Sequence, residues 1–210
     1  MSGGVGINDG DGGREPADAG GVQIGRLGLR PAAEHHELLA EPVAAALAAA
    51  TRQDSSFADV AVAAINPDLA DTAAFCAAYD VPLEISANCV VVAGKREGAQ
   101  RIAACVVLAT TRADVNGVVK RRLDVRKASF LTMDEAVARS GMEYGGITPL
   151  GLPADWPILV DETVAGLAWV IVGSGLRRSK IAIRGSALAW LAVQAGGEVI
   201  SGLASRLRGP

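Results

Sequence analysis

Three glycines and two prolines fall in the nine residues Gly145-Gly146-Ile147-Thr148-Pro149-Leu150-Gly151-Leu152-Pro153. Glycine admits positive φ, and proline fixes φ while removing an N–H donor, so the stretch reads as a shaped loop with exposed backbone amides. Such a loop can floor a ligand pocket. It can equally be a surface crossover, the reading that local composition favours.

The side chains offer little conventional catalytic machinery. The only histidines, His35 and His36, are adjacent. Neighbours on a helix point in different directions and cannot share a metal, so no metal site is expected. No Gly-x-Ser-x-Gly elbow and no Gly-x-x-x-x-Gly-Lys phosphate loop occurs, and no cofactor is expected. Cys76, Cys89 and Cys105 lack metal-ligand spacing and read as small core residues in a reducing compartment. Among carboxylates, Asp134 and Glu135 suit a helix N-terminus. Asp161 follows an apolar run and is either a partly buried acid or a helix cap, capping being favoured. Two basic runs stand out: Lys120-Arg121-Arg122 with Arg126-Lys127, and Arg177-Arg178 with Lys180 and Arg184. Charge runs are usually solvated faces, but two of them flanking one loop suit a phosphate backbone.

The elements that must position these groups follow from pattern. The chain has 210 residues, net charge −3, half its residues hydrophobic and 4% aromatic. Its apolar runs fall far short of the ~20 residues that span a bilayer, and no secretory leader pattern opens it, so a cytoplasmic, membrane-free protein is expected. Residues 1–30, rich in Gly, Asp and Ala, read as a disordered leader; residues 31–210 read as one domain. Pro31 is expected to open a helix through Leu47 that Pro42 kinks or divides. Residues 60–65 read as a strand, and Asp68 as the cap of a helix to about Tyr79. Residues 87–93 and 102–110 pair as strands through a polar hairpin. Asp114 caps a short helix, and Thr132 starts another that Gly141 ends. Residues 157–160, 167–172 and 181–183 are strands, with Gly173-Ser174-Gly175 turning the last two. Ser186 starts a final long helix, and Val199, Ile200 and Leu203 suggest one more short helix. Strands in neighbouring pairs with helices between them predict an α+β fold with a mixed, mostly antiparallel sheet and surrounding helices.

Between about Val81 and Ala192 the chain resembles the YbaK family, the editing-domain superfamily that includes the insertion domain of bacterial prolyl-tRNA synthetase. The resemblance rests on Ala87-Asn88-Cys89-Val90-Val91, on Lys127-Ala128-Ser129-Phe130 followed by Glu135-Ala136-Val137 and Gly141, and on Gly145-Gly146-Ile147-Thr148-Pro149-Leu150-Gly151. Leu159-Val160-Asp161-Glu162 and Gly173-Ser174-Gly175 complete it. It implies a trans-editing hydrolase that deacylates mischarged aminoacyl-tRNA. An aminoacyl-tRNA synthetase, or a second copy of the chain in a homodimer docked through residues 167–172 or the last helix, is the further partner expected. It also implies catalytic positions at Asn88, Gly145, Gly146 and Pro149, and substrate contacts at Ile147, Thr148, Asp161, Gly173, Ser174, Gly175 and Lys180. Gly145 would lend an amide near the ester, and Pro149 would hold the loop rigid. The chain departs from the family pattern at Asn88, where many members carry lysine, and at Gly173 and Lys180, where YbaK-type members carry serine and aspartate. The alternative is a catalytically inactive module of the same fold that binds RNA or another partner.

Overall fold

The computed structural model describes residues 22–206. In chain order the strands and helices are β1 (Arg30–Pro31), α1 (Glu41–Thr51), β2 (Ala61–Ala64), α2 (Thr72–Tyr79), β3 (Ala87–Arg96), β4 (Ala99–Leu108), β5 (Thr111–Ala113), α3 (Lys120–Arg122), β6 (Ala128–Phe130), α4 (Met133–Ser140), β7 (Ile158–Asp161), α5 (Glu162–Ala165), β8 (Val170–Gly173), β9 (Ser179–Ile183), α6 (Gly185–Gln194), β10 (Glu198–Ile200) and β11 (Ala204–Arg206).

The fold is α+β, but its strands form two main sheets rather than one. A five-stranded sheet runs β10-β7-β4-β3-β6 and a four-stranded sheet runs β1-β2-β9-β8. The smaller is antiparallel throughout; in the larger, β7 pairs parallel with both β4 and β10. β3 and β4 form the long hairpin, with Asn88 opposite Val107 and Arg96 opposite Ala99. Residues 102–107 of β4 are all buried because both faces are covered. Ala104 and Val106 join one core, shared with Val62, Val172 and Ile181 of the smaller sheet. Ala103, Cys105 and Val107 join a second core on the opposite face. The smaller sheet turns Ala63, Ile171 and Ala182 toward α2, where Phe75 and Cys76 cover them. The sheets meet where Ser86, just before β3, bridges to Ile171 of β8.

Several local expectations resolve differently. Pro42 lies in the first turn of α1, where its missing N–H costs nothing, so it opens the helix instead of kinking it. The residues before it form two short 3₁₀ turns, Ala32–Glu34 and His36–Leu38. Asp71, not Asp68, caps α2, accepting from the N–H groups of Ala73 at 3.0 Å and Ala74 at 3.4 Å. The tail forms strands, not a helix: β10 lies parallel to β7, and β11 pairs with β5. Gly197 permits this, since a Cβ there would sit 1.9 Å from the Ile158 carbonyl oxygen. Residues 1–21 of the expected leader lie outside the described residues. Ile24 and Leu27, inside the expected leader, are buried against α2, and Arg26 N–H donates to the Tyr79 carbonyl at 2.7 Å. The packed chain therefore begins before residue 31.

Candidate active site

A cavity of about 510 Å³ opens at the junction of the two sheets. The first residues of β3, Ala87 to Val90, form one wall, and the N-terminus of α2 with Ala70, Asp71 and Thr72 forms another. Tyr144, Gly145 and Ile147 come from the glycine–proline loop; Gly173, Arg177 and Lys180 come from the β8–β9 hairpin. A larger groove of about 660 Å³ lies elsewhere, between β5, β6 and the C-terminal segment. Its Asp114 carboxylate is committed to capping the N–H groups of Gly117 and Val118. The cavity, unlike that groove, contains a buried cation and so is the better chemical candidate.

Two glycine loops build the cavity edge by packing backbone on backbone. A Cβ on Gly173 would meet the Gly146 carbonyl oxygen at 2.3 Å, and one on Gly146 would meet the Leu176 backbone at 2.7 Å. Gly175 N–H donates to the Gly146 carbonyl at 2.8 Å, and Glu143 N–H donates to the Gly175 carbonyl at 2.8 Å. Gly146 N–H is occupied by the Glu143 carbonyl at 2.9 Å. Those of Gly145 and Ile147 donate to no group among the described residues. Gly145 adopts φ +81°, and Arg177 Nη1 would lie 2.9 Å from its added Cβ. Arg177 is pinned over the loop by bonds from Nε to the Pro67 carbonyl at 3.0 Å and from Nη1 to the Tyr144 carbonyl at 3.4 Å.

Asn88 lines the cavity with its orientation set. Its Oδ1 accepts the Thr72 hydroxyl at 2.7 Å, which leaves the Nδ2 group as donor. Lys180 is 7% exposed; its Nζ donates to the Ala70 carbonyl at 3.1 Å and lies 5.3 Å above the Phe75 ring. Among the described residues no carboxylate reaches ion-pair distance of Nζ. Burial pushes its pKa below the ordinary lysine value, and Arg177 adds to that. The Cys76 thiol and Asp71 act in the opposite direction.

Cys89 also lines the cavity, but burial, with Cys105 alongside, pushes its thiol strongly upward. Burial likewise pushes Cys105 up to about 12 and raises Cys76. None of the three is a thiolate nucleophile near neutral pH.

Of the residues singled out in the sequence, Asn88, Gly145, Ile147, Gly173 and Lys180 converge on the cavity, and Gly146 packs directly behind it. The others lie apart. Thr148 and Pro149 are the buried part of the loop itself, and the Thr148 hydroxyl has no partner among the described residues. Ser174 is buried in a latch, 2.8 Å from the Ser179 hydroxyl, with Leu176 N–H donating to it at 3.2 Å. Gly175 packs against Ala40 and Val43. Asp161 caps α5 through Thr163 N–H at 3.0 Å, while its other oxygen accepts Ala204 N–H at 3.0 Å, so both oxygens serve structure. Thr72, Asp71 and Tyr144 are cavity residues that sequence reasoning missed. The Asp-Thr pair before an apolar helix carries a capping signal but nothing that points across to Asn88.

The domain is thus an α+β fold whose cavity, at a junction of two sheets, offers backbone amides, one amide side chain and one buried cation, with no histidine or thiolate. The chain belongs to the aminoacyl-tRNA editing-domain family: the family's model matches residues 66–190, a span that contains every residue lining the cavity. The family's role is aminoacyl-tRNA editing. Among solved structures, a protein proposed as a trans-editing enzyme for prolyl tRNA synthetase matches at 20% identity and TM-score 0.61, over 77% of this chain and 96% of that one. A hypothetical protein matches at 18% identity and TM-score 0.62, over 76% and 99%. At these identities the likeness shows the fold. No curated protein matches the chain. Among the described residues no helix is long and apolar enough to cross a membrane.

Proposed function

We propose that the chain is a trans-editing deacylase that hydrolyses the ester of mischarged aminoacyl-tRNA in the cavity at the β3 end. The observation that carries this reading is the pairing of donors with an absence of a nucleophile. Gly145 and Ile147, whose N–H groups are free among the described residues, line one cavity together with Asn88 and Lys180. An aminoacyl ester is already activated, so positioning and stabilisation of the developing oxyanion suffice. Water attacks the ester carbonyl carbon and the negative charge moves to the carbonyl oxygen, where these donors and the Lys180 charge stabilise it. The ribose oxygen then departs with a proton, releasing the amino acid and the tRNA. The ribose's own vicinal hydroxyl is available to position the water. Asp71 is the one carboxylate lining the cavity among the described residues, and we assign it to the substrate's ammonium group.

This role makes aminoacyl-tRNA the partner and cytoplasmic translation the setting, and the trans-editing neighbour makes a prolyl-tRNA synthetase product a sensible first substrate. One observation favours the second reading, a non-catalytic binding module: Asn88 is uncharged and its oxygen is already held by Thr72.

A panel of mischarged tRNAs separates the two. The hydrolase reading expects release of at least one amino acid well above the buffer rate. It expects Gly145→Val to abolish that release with circular dichroism unchanged, since the side chain would need φ +81° and would push into Arg177. Hydrolysis at the buffer rate for every ester would leave the binding module.

A further inference from the structure

The first basic run takes no part in the cavity, yet the fold connects the two. β3 leaves the cavity at Asn88 and reaches Lys95 seven residues on, about 23 Å away at ~3.3 Å per residue. There it meets the segment entering β6. Gly94 pairs with Ala128, and a Cβ on Gly94 would lie 2.5 Å from the Lys127 carbonyl oxygen. That close approach sets Arg126 and Lys127 beside Lys95, and Lys95, Arg96 and Arg126 line a cleft of about 410 Å³ whose one carboxylate among the described residues is Glu97. α3 closes back on the same segment: Val125 N–H donates to the Lys120 carbonyl at 3.2 Å.

Three cations of this face are neutralised. Arg96 and Arg101 share Asp124 at 3.4 and 3.1 Å, Arg96 also meets Glu97 at 3.5 Å, and Arg122 holds Glu198 at 3.0 Å, so three carboxylates offset three cations. Lys95, Lys120, Arg121, Arg126 and Lys127 have no carboxylate within 4.0 Å among the described residues. All but Lys120 are exposed. This positive face stands on a chain whose net charge is −3. Phe130, 50% exposed on the edge strand β6, adds an aromatic surface on which a base can stack.

We propose that this face binds the phosphate backbone of tRNA several nucleotides back from the esterified 3′ end, with β3 as the ruler that spaces it from the cavity. The inference rests on the editing role for its choice of nucleic acid. An acidic protein is disfavoured as the occupant because the patch is a ridge of long cations, and protein interfaces are depleted in lysine at their core. Unpaired lysines and arginines along an edge suit repeated phosphates.

The test is equilibrium binding of uncharged tRNA between 50 and 200 mM salt. The variant is K95Q/R126Q/K127Q, and R26Q/R52Q/R184Q is a control with the same change in net charge. The patch variant should bind at least about tenfold more weakly at the lower salt, and the slope of log affinity against log salt should become shallower by about 2 to 3. The control should keep the wild-type slope. The patch variant should unfold at the wild-type temperature, whereas the control, which loses the Arg26–Asp80 and Arg184–Asp59 pairs, should unfold a few degrees lower. A wild-type slope in the patch variant, or an equal loss in the control, would overturn the proposal. Hydrolysis separates this from the cavity reading. The patch variant should lose activity on aminoacylated tRNA but keep it on an aminoacylated 3′ trinucleotide, which is too short to reach Lys95. If wild type hydrolyses no ester, the cavity reading falls while the binding comparison still decides the patch.

Discussion

The two basic runs are alike in basic content, five cations in Lys-Arg-Arg-Leu-Asp-Val-Arg-Lys at 120–127 and four in Arg-Arg-Ser-Lys-Ile-Ala-Ile-Arg at 177–184. Their fates are opposite. In the second run every cation is committed within the protein. Arg177 ties the glycine–proline loop to the Pro67 carbonyl, and Arg178 donates to the Glu37 carbonyl at 2.8 Å. Lys180 enters the cavity wall. Arg184 pairs with Asp59 at 3.0 Å and stacks over Trp169 at 4.6 Å. In the first run only Arg122 has a carboxylate partner among the described residues. The difference is one of place. The second run enters β9, a strand hydrogen-bonded on both sides by β2 and β8, and its side chains meet five other connecting segments. The first run sits on a short helix and a connector at the edge strand β6, where there is little to meet but solvent. A basic run is thus drawn into the fold or left to solvent according to how many elements surround it, which its composition does not reveal.

The comparison is broken most severely by forcing apart the loops that the second run pins together. Gly173→Ala should lower stability by about 3 kcal/mol and empty the cavity of activity, because the new Cβ meets carbonyl oxygens of Gly146 and Ile147 that belong to backbone. Chemical denaturation reads the first effect; a variant as stable as wild type would show that the loops are not rigidly docked. Lys180→Met should act in the opposite direction on stability. It removes a buried ammonium that lacks a carboxylate partner while keeping a side chain against Phe75, so the folded state should gain about 1 kcal/mol. Deacylation should fall about 100-fold or more. The pH dependence checks the cause. Folding carries the cost of the charged lysine below its lowered pKa. That cost is relieved as pH rises toward the ordinary lysine value of ~10.4. Wild-type stability should therefore rise with pH across that interval, and Lys180→Met should lack this component. Activity that depends on the charge should decline over the same rise.

What the sequence made legible was local. The Asp161 cap, the Thr132 helix start and the Gly141 stop all depend on neighbours within a few positions, and each is present. The β3–β4 hairpin was legible because two β-branched runs flank a polar turn. The glycine–proline loop announced itself, although its composition could not distinguish a crossover from a cavity edge. The resemblance, with its ordered motifs, supplied that distinction and led to Asn88, Gly145 and Lys180. What stayed hidden was long-range. Thr72 reaches Asn88 across sixteen positions, and Lys180 reaches Ala70 across 110. β10 reads as a helix until β7, about forty residues earlier, offers it an edge. Ile24 and Leu27 are too sparse to suggest packing until α2 is there to cover them.

The smallest effects sharpen the contrast. Arg184→Ala removes a partly exposed ion pair and a stacked guanidinium, so it should cost up to about 1 kcal/mol, with the pair contributing less at high salt. Arg126→Gln should change stability by no more than about 0.5 kcal/mol, since the side chain is exposed and has no carboxylate partner among the described residues. Salt makes the pair of measurements decisive. If the second run is committed to the fold and the first is held for an external anion, raising ionic strength should narrow the stability gap between Arg184→Ala and wild type while leaving Arg126→Gln and wild type together. An Arg126→Gln variant that is clearly destabilised would mean that this cation, too, is tied into the protein. The two runs would then differ in degree rather than in kind.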